Sequence, residues 1–193
     1  MRAAERNNYK RGWFRRRARA LRQRRVIFVD VSAINTAMTR RYGRAPRGER
    51  AHDSAPRNYG THTSVIGAMG LRGLVATLTV EGAVDAEVFN AYAERVLGPR
   101  LRRGGVVVLH NLGAHRASRI VEVAENRRAQ VLWLAPYSPD FNPIEQCWSK
   151  IKAYLRGAKA RTTDALDKAL EQAIGLVTKS DIRGWFKHCG YSL

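Results

Sequence analysis

The chain has 193 residues, 45% of them hydrophobic, enough for one sizeable core and too few for two full domains. Lys and Arg number 35 against 16 Asp and Glu, giving a net charge of +19 and an isoelectric point near 11.1, which argues against an ordinary small-molecule enzyme and for a polyanionic partner. Cys147 and Cys189 have no metal-ligand spacing, the Arg-rich start lacks the apolar segment of a signal peptide, and no stretch approaches the roughly 20 apolar residues of a membrane span, so a reducing, cytoplasmic setting without a membrane partner is expected.

Residues 1–25 carry eleven Lys or Arg and one acid, Glu5. They read as a basic N-terminal tail or remnant linker, either solvated and disordered or in contact with nucleic-acid phosphates, ahead of one folded unit over 26–193. The apolar run 26–29 predicts a buried central strand whose carboxyl end emerges at Asp30. Residues 39–60 are polar and rich in Arg and Gly, a loop or hairpin excursion. Strands follow over 62–69 and 73–80, joined by a hairpin turn at Gly70, Leu71, Arg72 and Gly73.

Val88, Phe89, Tyr92, Val96 and Leu97 recur at helical spacing over 85–97, and Gly98 and Pro99 close that helix. A second buried strand, 106–109, ends at His110. A helix over 115–127, a short strand over 131–134 and helices over 143–156, 163–177 and 179–188 complete the chain. A hairpin portion followed by alternating helix and parallel strand predicts an α/β fold, a mixed sheet with helices on both faces. Functional groups in such folds gather at the carboxyl ends of the central strands, where Asp30 and His110 both fall.

Cutting and rejoining phosphodiesters requires an aligned oxygen nucleophile and neutralisation of phosphate charge, and two divalent ions about 4 Å apart supply both. Mg²⁺ and Mn²⁺ take oxygen ligands, so carboxylates from separate elements should converge at one sheet edge. Asp30 from one strand, position 110 from its neighbour and Glu145 from a following helix have that order.

The resemblance to a known family rests on several motifs in sequence: the strand ending at Asp30; position 110 followed by Asn111, Leu112, Gly113, Ala114 and His115; and Tyr137, Ser138, Pro139, Asp140, Phe141, Asn142, Pro143, Ile144 and Glu145. Between positions 110 and 145 lie 34 residues, and the segment from Met38 to Gly48 is also similar. Over roughly 26–190 the chain resembles the DDE transposases of mariner-like bacterial insertion sequences. The resemblance implies a ribonuclease H-like catalytic domain that cleaves DNA at element ends and transfers strands, two Mg²⁺ or Mn²⁺ ions, and a homodimer in a nucleoprotein complex. It makes Asp30 and Glu145 metal ligands, puts His110 where the second catalytic acid should stand, and puts Val31 where relatives usually carry an acid, two departures expected to remove negative charge from the metal site. It implies as well an N-terminal helix-turn-helix region that residues 1–25 are too few to hold, so either a truncated product or the second half of one normally fused to an upstream frame, without end-specific recognition, is expected. The alternative is a nucleic-acid-binding remnant or domesticated protein that kept the fold and lost the chemistry.

Several residues carry a second explanation. Asn142 as cap, Pro143 at the first helical position and Glu145 three after the cap spell a capping box, so Glu145 can serve its own helix as well as a metal. Asp140 reads as a turn residue, although it and Asp85 are the acids open to replacing the lost ligand, and His115 reads as a phosphate contact or a helix cap. Ile144, Trp148, Ile151 and Leu155 form a core stripe, and Trp133 and Trp185 read as core. Arg40, Arg41, Arg44 and Arg47 belong to a loop, 40–57, with six Arg against two acids, either solvated or tracking a DNA backbone.

Overall fold

The computed structural model describes residues 7–21, 25–58, 60–110 and 114–192, with the backbone alone for 114–117. The run 26–29 continues as strand through Asn35, so β1 (Val26–Asn35) places Asp30 at its middle and not at its end. The reason is a division of partners. On one side β1 pairs parallel with β4 (Val106–Leu109) only from Val26 to Val29, whereas on the other it pairs antiparallel with β2 (His62–Gly70) from Ile27 to Asn35. Asp30 is thus the first residue of β1 beyond the parallel ladder, and continuation of the Val29 to Leu109 register sets it level with position 110.

The hairpin of β2 and β3 (Gly73–Glu81) and the parallel strand β5 (Gln130–Trp133) complete a five-stranded sheet in the order β3-β2-β1-β4-β5. The chain winds outward from β1 through β2 and β3 on one side and from β4 to β5 on the other, so the carboxyl end of the parallel β1–β4 ladder, at Asp30 and position 110, is the switch point near which such folds bind ligands.

Strand alternation sorts the core into two layers. Val26, Phe28 and Ile34 of β1 pack with Val65, Met69, Val108 and Leu132 against α4 (Pro143–Ala158), α5 (Thr163–Gly175) and α6 (Lys179–His188). Val29, Ile66, Val107 and Leu109 face the other way, toward α2 (Ala86–Ala91), the π-helical turn Tyr92–Leu97 that continues it, and α3 (Ala114–Asn126). The expected mixed sheet with helices on both faces is therefore observed. Ile144, Trp148, Ile151 and Leu155 are all buried, as their spacing predicts, and Trp133 and Trp185 are partly buried against the two layers.

Residues expected as a tail or linker form α1 (Asn8–Ala20), a helix that joins the α4 layer. Asn7 caps it by accepting from the Lys10 amide at 2.9 Å. Arg11, Phe14 and Ala18, at intervals of three and four, are its buried stripe. Residues 40–58 are exposed throughout, the arginines among them included. No helix among the described residues is long and apolar enough to cross a membrane.

Candidate active site

Even-numbered residues of β1 face α4, so Asp30 is presented to that helix. Opposite it on β2 stands Gly67. A side chain there would begin 2.6 Å from Trp148 Cη2 and 2.7 Å from Cζ2, so the indole occupies the space a larger residue would need and lies against the sheet beside Asp30. Glu145, Trp148 and Lys152 follow at helical spacing along α4 and supply an acid, an indole N–H and a cation to Asp30. Burial is the largest influence on the Asp30 carboxyl, and the neighbouring Glu145 charge is next; together they push its pKa up to about 7. The Val31 amide, which donates to Asp30 Oδ1 at 2.9 Å, the Trp148 indole and Lys152 oppose that rise. Trp148 Nε1 is buried and short of hydrogen-bond geometry with any acceptor, so its stabilisation of the carboxylate is electrostatic.

Glu145 is exposed in the first turn of α4, where the helix dipole favours an acid. The expected capping box does not form: Asn142 is the N-cap by backbone conformation, its side chain caps no amide, and its Oδ1 is buried without a partner. The Glu145 carboxylate is therefore not committed to its own helix start.

The turn that launches α4 is held from outside. Arg11 Nη1 donates to Ser138 Oγ at 2.6 Å and Asp140 Oδ1 at 2.9 Å, and Nη2 donates to Asp140 Oδ2 at 2.6 Å. The same guanidinium lies 4.2 Å from the Phe141 ring centroid, Phe14 stacks on that ring at 5.4 Å, and the Tyr191 hydroxyl donates to the Phe141 carbonyl at 2.7 Å. Asp140, expected in the turn, is bound there by Arg11 and is no substitute ligand. Asp85 is equally committed, capping α2 by accepting from the Val88 amide at 2.8 Å.

His110 stands at the other wall. Alternation from Val108 sets it on the same sheet face as Asp30, yet its side chain is exposed, and among the described residues no three His, Cys, Asp or Glu side chains cluster to hold a metal ion. Val31 belongs to the opposite face, against the α2 and α3 layer. An acid at position 31 would point away from Asp30, so this departure takes no charge from the site, contrary to expectation. Asn111, Leu112 and Gly113, and the side chain of His115, lie outside the described residues; the His115 backbone is in the first turn of α3.

Arg40, Arg41, Arg44 and Arg47 are not at the carboxylate pair. Arg161 donates to the carbonyls of Thr36 at 2.9 Å and Met38 at 3.1 Å and to Thr39 Oγ1 at 3.1 Å, while Lys159 pairs with Asp53, strapping their loop to the far end of α4. Arg40 packs beside Gly157, some 18 Å along the helix axis from Glu145 at the usual helical rise. Cys147 and Cys189 are buried free thiols whose pKa values burial pushes up to about 12 and about 11, unsuited to nucleophilic chemistry.

Sequence reasoning did not single out Gly67, Lys152 or Arg11. Only Lys152 and Arg11 had a local signal, in the first case its spacing from Glu145 and Trp148 and in the second its spacing from Phe14 and Ala18.

The family described as DDE superfamily endonuclease matches residues 25–167. The chain belongs to this family. A curated relative, the transposase of transposable element Tcb1 from Caenorhabditis briggsae, is 28% identical over 98 residues, covering 49% of this chain and 36% of its own length. Among solved structures, the Mos1 transposase paired-end complex with the left transposon end superposes with a TM-score of 0.74 at 17% identity, over 98% of this chain and 62% of that one. The Mos1 mariner paired-end complex with Mn gives 0.69 at 18% identity, over 98% and 62%. The chain thus spans about a third of the curated relative and under two thirds of the Mos1 chains, and it has the ribonuclease H-like fold of the DDE enzymes. The curated relative is a nematode transposon's protein, so the bacterial insertion-sequence origin expected above gains no support from it.

Proposed function

We propose that this DDE endonuclease domain acts on DNA as a mariner-type transposase, cleaving at element ends and transferring strands, with Asp30 and Glu145 as its metal-holding carboxylates. The observation that carries the reading is the convergence of Asp30 and Glu145, from β1 and α4, beside the sheet's switch point. The bacterial insertion-sequence attribution rests only on the motif order and the 34-residue interval between positions 110 and 145.

The pair suits a divalent cation. Burial and a like charge both disfavour ionised Asp30, and the attraction of a dication between the carboxylates would oppose both influences. Held by Asp30 and Glu145, Mg²⁺ or Mn²⁺ would supply charge neutralisation at the phosphate and activation of the attacking water or hydroxyl. The chain's own residues do the rest. Trp148 excludes water from the floor and favours the Asp30 anion, the Arg11 network fixes the turn from which Glu145 projects, and Lys152 offers a cation to a phosphate oxygen. In this reading Arg40, which packs beside Gly157 roughly five base pairs along α4 from Glu145, and the exposed Arg41, Arg44 and Arg47 of the same loop contact phosphates of a bound duplex, with His115 in the first turn of α3 as a further contact. Proteins solved as transposon-end complexes have this fold, which supports DNA as partner; a homodimeric assembly is part of the proposal.

His110 favours a second reading. An exposed imidazole in place of an acid, with no three-ligand cluster among the described residues, fits a protein that binds nucleic acid without cutting it. Imidazole accepts Mn²⁺ more readily than Mg²⁺, so Mn²⁺-dependent nicking of supercoiled plasmid separates the two. The native chain, its His110→Asp variant and a Glu145→Gln blank of each are compared. Nicking by the variant alone, with silent blanks, establishes the carboxylate site and makes the native protein a disabled transposase; nicking by the native chain makes His110 a working ligand. Silence from both defeats the catalytic reading.

A further inference from the structure

We infer that the outward face of α1 is a docking surface for duplex DNA, an inference that rests on the DNA reading above and adds a site to it. The helix has two unlike faces. Arg11, Phe14 and Ala18 fasten it to the body of the protein, and the Arg11 charge is met by Asp140. Tyr9, Trp13, Arg16 and Arg17 are exposed on the other side, Tyr9 at 78% and Trp13 at 42%, with the Arg17 guanidinium 5.1 Å from the Trp13 ring centroid. No acid occurs in the helix. The face is therefore a fixed array of cations and aromatics and not a drifting tail.

Gly12 lies within that face, one turn from Tyr9 and one from Arg16. A side chain there would meet nothing within 4 Å, so a helix-interior glycine that costs about 1 kcal/mol relative to alanine has no reason in the protein's own packing. It leaves a gap in the outward surface through which a sugar-phosphate backbone can approach the helix. The wide apolar stripe of a membrane-surface helix is missing from this face, and interleaved guanidinium and aromatic groups suit nucleic acid.

Position supports the same occupant. Along α4 the Arg-rich loop is strapped to the carboxyl end, Glu145 stands in the first turn, and α1 packs on Phe141 just before that turn. A duplex laid over Glu145 with one side on the loop would meet α1 with the other.

The test is fluorescence anisotropy of a short labelled duplex across a salt series, with the full chain, an Arg16→Ala/Arg17→Ala variant, a Trp13→Phe variant and an exposed-cation control on α5, Lys168→Ala. The changed side chains are solvent-facing, so circular dichroism should show unaltered folding. The double variant should flatten the slope of log K against log salt by about 1.8, at roughly 0.9 per phosphate contact, with Lys168→Ala removing less than half as much. Trp13→Phe should abolish most of the tryptophan fluorescence change on DNA addition. Unchanged slope and fluorescence with intact binding would overturn the α1 surface and leave the DNA reading standing. No duplex binding by the native chain would defeat both, and a preference for single-stranded RNA that the double variant removes would overturn the proposed occupant.

Discussion

The two walls of the switch point are built differently. On the Glu145 side the turn before α4 is gripped by Arg11, Phe14 and Tyr191, and Trp148 is fitted into the space left by Gly67. On the other side His110 is exposed at the end of a four-residue strand. The packing that positions one acid is thus independent of what stands at position 110, so an exchange there can leave the fold intact.

The sharpest way to break the contrast is Arg11→Ala. It removes a bidentate pair, a bond to Ser138 and a cation-π contact; because Asp140 is half-exposed and regains water, the loss should be about 2–3 kcal/mol. Thermal unfolding should fall by about 5–10 °C, and an unchanged melting temperature would show that the turn is held without it.

Asp30 provides a pH-dependent version. Its folded pKa is raised above its unfolded value, so its contribution to stability is fully present below about pH 4 and lost as pH rises through about 7. Asp30→Asn should therefore melt higher than the native chain at pH 8, by about 5 °C, with the gap closing toward pH 4. A gap that stays constant over that range would contradict the burial and Glu145 influences described above. The smallest effect belongs to the loose wall: His110→Ala should change stability by no more than about 0.5 kcal/mol, as for exposed positions generally, measured by urea unfolding. A loss approaching that of Arg11→Ala would erase the distinction between the walls.

What could be read from the chain follows from which signals are local. The strands and helices from β2 onward were legible because apolar periodicity and turn residues are local; Gly70 and Gly73 bracket the hairpin as expected, and Pro143 opens α4. The end of β1 was not, since Asp30 interrupts an apolar run while the antiparallel partner β2 carries the strand on to Asn35. The helix α1 was masked by composition: its arginines read as a solvated tail, although Arg11, Phe14 and Ala18 repeat at helical spacing. Of the site, Asp30 and Glu145 were identifiable through motif order, whereas the fit of Trp148 against Gly67 joins residues 81 positions apart and has no local signature. Val31 was misjudged for a simpler reason, because strand alternation alone turns it from Asp30.

The grip on Phe141 has a consequence for biosynthesis. Arg11 reaches Asp140 across 129 positions and Tyr191 reaches back 50 to the Phe141 carbonyl. The turn can close only when segments from both regions are available, and closing such long loops is slow relative to local helix formation. During synthesis the sheet can assemble first, and the Glu145 wall reaches its final form only after Tyr191 has cleared the ribosome.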